Sequence, residues 1–411
     1  MHVRARGGAS SKWWWLAVAV VATACSPGSS QGTGGGAGGG VAGGGGIATA
    51  GGGGTGGGGA GAGAGAGGGG AGGGAATGGG TGGGAGPGPQ LPEGTLLYLR
   101  HPMAGRDLLI ARDLTTGSER VVTDLTGDGS SGWDIEGYAL SPDRRRIAIA
   151  SLYGPTAADT ATGLATRAIW TLAADGTDFR RLTPTFPNTG GGKQSFSISV
   201  SDPEWAADGS QVVYTYGEYW WQNLSLKGNS VPWRVAAVGG QLPSLFPVAF
   251  GCSVLYPSRN PATGQMLFVH SVCVPSIATN GLFLYPATGG SSPAQLVASS
   301  RAADGIDVSL AKPAWFTDGS GFLFVAGSAQ TNWVSGLFVY DVAQHTAALL
   351  VAPAAGTSVD SVAVSRDMTK IVYGLRRDAD SSGDLHLIDL SAPTPVDVAL
   401  TTDGKSFSPA F

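Results

Sequence analysis

Charge is scarce in this 411-residue chain, where Asp, Glu, Lys and Arg together make up 13%. No charged residue falls between Lys12 and Glu93. The formal net charge is −4, and no basic run exceeds Arg144–Arg145–Arg146, so nucleic acid is not an expected partner. Long hydrophobic runs are also missing. The N-terminal apolar stretch, Trp13 to Ala24, is twelve residues long, and crossing a bilayer takes about twenty. The histidines, His2, His101, His270, His345 and His386, stand apart with no metal-ligand spacing. Gly28-Ser29-Ser30-Gln31-Gly32 has the letters of a serine-hydrolase elbow but not the strand-to-helix turn that elbow needs. No catalytic residue, resident metal or cofactor is therefore expected.

What is plentiful is glycine. The chain has 72, and 38 of them lie between Ser26 and Gln90. Such a stretch has almost nothing to bury and cannot offset the entropy of ordering its backbone. Residues 26–90 are predicted to be a disordered linker. A flexible coil of about 65 residues has a root-mean-square span of roughly 45 Å.

Ahead of the linker, Arg4, Arg6 and Lys12 precede the short apolar run, and Ala22-Thr23-Ala24 leads into Cys25. This is the layout of a secretory signal peptide over residues 1–25. The cysteine at the cleavage point resembles the bacterial lipobox, with Ala22 where leucine is preferred. That resemblance implies lipidation at Cys25 and a membrane anchor through the lipid. Ser26, rather than Asp, implies sorting to the outer membrane.

Beyond the linker the chain repeats. Leu140-Ser-Pro-Asp143 leads into an apolar run, and so do Trp205-Ala-Ala-Asp208, Trp315-Phe-Thr-Asp318 and Val364-Ser-Arg-Asp367. Two weaker copies surround Glu93 and Ala262. The six turn positions are 50, 65, 54, 56 and 49 residues apart. Each unit supplies a short strand, a turn, a continuously apolar strand, and two further strands. Those third strands run at Leu108–Asp113, Ala168–Ala173, Trp233–Val238, Leu282–Pro286, Leu337–Val342 and Leu385–Leu390. Four strands joined by tight turns make an antiparallel meander. Unbroken apolar strands imply burial on both faces, as when blades stack around an axis. The expected fold of residues 91–411 is an all-β, six-bladed β-propeller with four strands per blade.

The last residues predict how the ring closes. Ser408-Pro409-Ala410-Phe411 matches Lys312-Pro313-Ala314-Trp315, and Leu91-Pro92-Glu93-Gly94 continues where that match stops. The C-terminal strand is thus expected to be the inner strand of the first blade, leaving no open edge there. The repeat turns resemble those of the TolB-like propeller family over about Leu91 to Phe411. The resemblance implies an envelope protein-binding scaffold. Partners of that family, such as a peptidoglycan-associated lipoprotein, are an implied possibility, and no binding residue transfers.

The remaining candidates are local. Gly217–Val231 and Ser328–Ser335 read as long loops on one face of the disc. They carry Glu218, Tyr219, Trp220, Trp221 and Trp333, and loop aromatics give contact area at low entropic cost. These five are the candidate binding residues; covering the blade ends is the alternative use. Asp124-Leu-Thr126-Gly-Asp128-Gly129 begins like a calcium loop, yet Ile135 occupies the twelfth position, where glutamate belongs. It reads as a polar turn, with Asp124, Thr126 and Asp128 a weak calcium candidate.

Cys252 and Cys273 are centred on 262.5, the centre of the Asn260–Gln265 turn. In a symmetric hairpin they face each other at a Cα separation of roughly 4.5–5.5 Å, within reach of a disulfide. A bulge would shift the register by one and send them to opposite faces. The alternative is two buried thiols. The expected function is that of a monomeric, envelope-tethered propeller binding a protein or glycan. The competing reading is a polysaccharide lyase or hydrolase working at the axis.

Overall fold

The six repeats fold into six antiparallel sheets arranged as a propeller. The computed structural model describes residues 88–411 apart from 104–105, 127–134, 152–167, 185–193, 223–224, 250, 272 and 274–279. The predicted signal peptide, Cys25 and almost all of the linker lie outside these residues.

Blade 1 contains β1 (Thr95–Met103), β2 (Arg106–Asp113) and β3 (Glu119–Thr126), with β25 (Ser406–Ala410) on its inner edge. Blade 2 holds β4 (Ile135–Leu140), β5 (Arg146–Ser151), β6 (Ala168–Ala173) and β7 (Arg180–Arg181). Blade 3 holds β8 (Gln194–Trp205), β9 (Gln211–Gln222), β10 (Ser225–Ala236) and β11 (Ser244–Leu245). Blade 4 holds β12 (Ser253–Arg259), β13 (Met266–Ser271), β14 (Gly281–Tyr285) and β15 (Ala294–Ala298). In blade 5 the inner edge comes in two pieces, β16 (Ile306–Val308) and β17 (Ala314–Trp315). Both pair with β18 (Gly321–Ser328), which is followed by β19 (Gly336–Asp341) and β20 (Thr346–Val351). Blade 6 holds β21 (Thr357–Val364), β22 (Lys370–Arg377), β23 (Gly383–Asp389) and β24 (Asp397–Ala399).

The apolar second strands do what their composition requires. All eight residues of β18 are buried, as are five of the six in β5. Their side chains meet those of the next blade: Leu97 and Leu109 of blade 1 share a cluster with Ile147, Ile149 and Trp170 of blade 2. Burying one such side chain contributes about 1.5–3 kcal/mol, so the blade-to-blade faces carry most of the apolar stabilisation. Polar contacts fix their register. Trp205 Nε1 donates to Ala139 O at 3.0 Å, and buried Arg144 reaches back to Leu91 O and Pro92 O at 3.1 and 2.8 Å.

The turn aspartates earn their fixed place by closing the turn. Asp208 Oδ1 accepts from Ser210 N and Oγ at 3.0 and 2.7 Å, and Asp318 does the same with Ser320 at 2.9 and 2.6 Å. This is the Asx-turn chemistry of short acidic side chains. In blade 4, where Ala262 replaces the aspartate, Asn260 Oδ1 accepts from Ala262 N and Thr263 N instead.

Ring closure uses the expected strand, with a register shift between Leu97 and Leu99. β25 pairs with β1 through Leu97↔Ala410, Leu99↔Phe407 and Arg100↔Ser406.

Three local expectations need correction. Gly217–Val231 is not a loop: β9 and β10 stay paired from Gln211↔Ala236 to Gln222↔Ser225, because the polar and aromatic residues there continue the ladder. Asp124 and Thr126 do not lie in a turn either; they extend β3, opposite Leu108 and Arg106. Asp128 lies outside the described residues. The third correction concerns the cysteine hairpin. Arg259↔Met266 and Ser258↔Leu267 keep the symmetric register, but a bulge between Leu255 and Ser258 shifts it, leaving Ser253 opposite Ser271. Cys252 and Cys273 nevertheless form a disulfide, with Cα atoms 4.0 Å apart. Both lie just past the last paired residues, where strand alternation no longer dictates which way a side chain points.

Candidate functional site

The inner strands differ from the second strands in one respect: they alternate polar and apolar residues instead of running apolar throughout. Their polar side line an axial cavity of about 420 Å³ to which all six blades contribute. Four carboxylates, Glu136, Asp202, Glu204 and Asp360, face two cations, Arg259 and Lys312. With all six ionised this lining carries two excess negative charges.

Both cations are already engaged. Lys312 Nζ sits 2.8 Å from Glu204 Oε2 and donates to Pro203 O at 2.9 Å. Arg259 Nε donates to Trp205 O at 2.9 Å and lies 3.9 Å from Glu204 Oε1. Glu204 therefore ties blade 3 to blades 4 and 5 across the channel.

Asp202 has a backbone φ of +50°, and its Oδ2 accepts from Ser201 Oγ at 2.7 Å. Burial pushes its carboxyl up to about 6, against the lowering effect of the Ser201 hydrogen bond and the Lys312 charge. Glycine at 137 gives this backbone room: a Cβ there would come 3.1 Å from Asp202 N and Cα. Asp360 is also raised, chiefly by burial, while Ser361 Oγ donates to its Oδ1 at 2.7 Å. Gly374 makes its position possible, since a Cβ there would lie 2.2 Å from Asp360 Oδ1.

None of the described histidines lines this channel. His101 pairs with Asp107 at 2.6 Å in blade 1, and His386 with Asp397 at 3.1 Å in blade 6. His345 occupies a turn of blade 5 with φ +53°, and His270 is buried in blade 4.

The aromatic candidates are dispersed. Tyr219, Trp220 and Trp221 lie on β9 of blade 3, paired with Gly228, Lys227 and Leu226. Glu218, on the same strand, accepts from Tyr216 Oη at 3.0 Å. Trp333 lies two blades away, half-buried with φ +62°, after a short 3-10 turn at Ala329–Thr331. They do not form one loop cluster. The channel acids were missed because no catalytic motif contains them. A signal existed: Asp202-Pro203-Glu204-Trp205 aligns with Lys312-Pro313-Ala314-Trp315 and Ser408-Pro409-Ala410-Phe411. The charges of the channel recur just ahead of the turn.

The protein is thus a closed six-bladed propeller with an acid-lined axis. Among solved structures it is similar to TolB from Acinetobacter baumannii, with a TM-score of 0.53 and 16% identity. That match covers 77% of this chain and 66% of TolB, so the chain spans just under two thirds of that protein's length. A putative TolB from Agrobacterium tumefaciens matches with a TM-score of 0.46 and 11% identity, covering 75% of this chain and 88% of the other. An oligogalacturonate lyase in complex with manganese matches at 0.44 and 13%, covering 73% and 74%. No family model matches the sequence, and no curated protein does either. The likeness is one of fold: a TolB-like propeller.

Proposed function

We propose that this chain is a cell-envelope lipoprotein whose propeller is a protein-binding module, taking an extended, net-positive segment of a partner into its axial channel. The observation that carries the reading is the channel wall, where four carboxylates outnumber two cations that are already engaged. An acidic, low-dielectric funnel concentrates cationic ligands and orients them. Anchoring through Cys25 would hold the domain near the membrane, and the glycine linker would leave its orientation free.

Two measurements test it. Replacing Cys25 with Ser should move the protein from the membrane to the soluble envelope fraction; retention on membranes in high salt would remove the anchor. With that soluble chain, a fluorescent lysine-rich extended peptide should bind and its acidic counterpart should not. Glu136→Lys and raised salt should each weaken the lysine-rich peptide severalfold, because screening shortens electrostatic reach to about 3 Å at 1 M. Equal binding of both peptides would overturn the channel as the site.

A second reading, a glycan lyase or hydrolase at the axis, is favoured by Asp202, which titrates near neutrality and could serve as acid or base. Against it, a lyase acts beside a uronate carboxylate, which the acidic wall repels. Incubation with polyuronates should give no ultraviolet-absorbing unsaturated product; its appearance would replace the binding reading.

A further inference from the structure

Blade 4 carries a second group of chemically capable residues, far in character from the channel. Cys252, His270 and Cys273 each offer a ligand atom, and those atoms lie within 4.8 Å of one another. The two sulfurs are joined as a disulfide. His270 lies on β13 with only 3% of its surface exposed, stacked on Phe283 at a centroid distance of 4.0 Å. Its Nε2 is 2.9 Å from Tyr285 Oη, and its Nδ1 has no hydrogen-bond partner among the described residues. A buried, unsatisfied ring nitrogen costs about 1–3 kcal/mol. Packing alone would be served better by a phenylalanine.

We infer that reduction of the Cys252–Cys273 disulfide opens a Cys2His site for a thiophilic d10 cation such as Zn²⁺. The donor set is one that zinc takes, with a fourth position for water. Two thiolates on a tetrahedral zinc sit about 3.8 Å apart, given Zn–S bonds of about 2.3 Å. Reaching that separation from a disulfide needs only a small displacement, and both cysteines lie outside the paired strand residues, where the backbone can yield. In the tautomer with the proton on Nε2, that N–H donates to Tyr285 Oη and the Nδ1 lone pair is left for the metal. Tyr285 would then be a positioning residue, itself held by Ala249 N–H at 3.3 Å.

The redox step balances with a dithiol reductant. The disulfide accepts two electrons and two protons and becomes two thiols, while the reductant becomes its own disulfide. Zinc binding then releases the two thiol protons. The metal stabilises only the dithiol form, so it makes the disulfide easier to reduce. At a hundredfold excess over Kd, the reduction equilibrium shifts about 100-fold, which raises the midpoint potential by about 60 mV.

The test uses the full chain carrying Cys25→Ser, so that Cys252 and Cys273 are the only thiols. A tertiary phosphine reduces it without adding a competing thiol, and leaves as its oxide with oxygen from water. After removal of excess zinc, the reduced chain should retain one zinc and the oxidised chain none. His270→Ala should weaken retention by more than about 100-fold, since even an outer-shell loss costs 10–100-fold. Should that variant fail to fold, the ¹⁵N spectrum of the reduced parent decides: zinc should move the Nδ1 resonance of His270 and leave Nε2 protonated. Equal zinc in the two redox states, an unmoved Nδ1, or undiminished retention by a folded His270→Ala variant would each overturn the site.

Discussion

Blades 4 and 5 are neighbours built on the same repeat, yet they are held together by different means. Blade 5 is an aromatic stack: Trp315, Phe322, Phe324, Phe338 and Tyr340 are all buried, and Phe322 lies 4.9 Å from both Trp315 and Tyr340. Its turn carries the repeat's aspartate at 318, and no covalent link crosses it. Blade 4 has lost that aspartate, with Ala262 in its place. It also places a histidine where the repeat calls for an apolar side chain. It is the blade that carries the disulfide. A packed apolar sheet needs no staple. A sheet with a polar group inside gains from one, because a crosslink restricts the unfolded chain regardless of what the folded core contains.

That contrast can be broken at its strongest point first. Phe324→Ala removes a ring that is 1% exposed at the junction of the two blades. Chemical denaturation should show a loss of about 3–5 kcal/mol. A cost below about 1 kcal/mol would mean that the stack does not support the fold. The disulfide comes next. Reduction, or the paired change Cys252→Ala with Cys273→Ala, should cost about 3 kcal/mol for a loop of roughly twenty residues. If neither changes the denaturation midpoint, the staple is dispensable and the contrast fails.

The smallest effect is a pH dependence, in which His270 of blade 4 opposes Asp202 of blade 3. His270 titrates near 6.5 when unfolded and near 4 in the fold, so between these values the unfolded chain binds the extra proton. Stability from keeping the ring neutral is complete above pH 6.5 and is lost as pH falls towards 4. Asp202 runs the other way. Its folded carboxyl titrates near 6, so its contribution is complete below about 3.8 and is lost as pH rises through 6. The two slopes oppose each other between pH 4 and 6. His270→Gln should therefore gain on the parent by about 2–3 kcal/mol as pH falls from 6.5 to 4, with a flat difference above 6.5. A difference that does not vary with pH would show that His270 is not held neutral by its burial.

Different parts of this architecture were legible in the sequence for different reasons. The turn aspartates could be counted because each closes its own turn through residues one or two places away. The apolar second strands could be assigned because burial on both faces leaves no alternation. The β25–β1 closure was readable because the C-terminal Ser408-Pro409-Ala410-Phe411 repeats the strand segment that precedes other turns. The long hairpin of blade 3 was misread as a loop. Tyr219, Trp220 and Trp221 are strand formers as much as contact residues, and composition does not show whether a partner strand accompanies them. The cysteine pair was assigned correctly from symmetry about a turn, but that symmetry is broken by the bulge. The bond forms because both residues lie beyond the ladder.

By itself, the sequence determined the number of blades, the strand that completes the first of them, and which two cysteines pair. These depend on a period, a turn residue and a hairpin centre, all of which act within tens of residues. Only the tertiary structure decided that Glu136, Asp202, Glu204 and Asp360 share one cavity, since three blades supply them and the ring alone brings them together. It likewise decided that His270 lies beside the disulfide with its Nδ1 lacking a hydrogen-bond partner among the described residues. Charge and coordination depend on distance in space, and over most of this chain that distance is set by closing the ring.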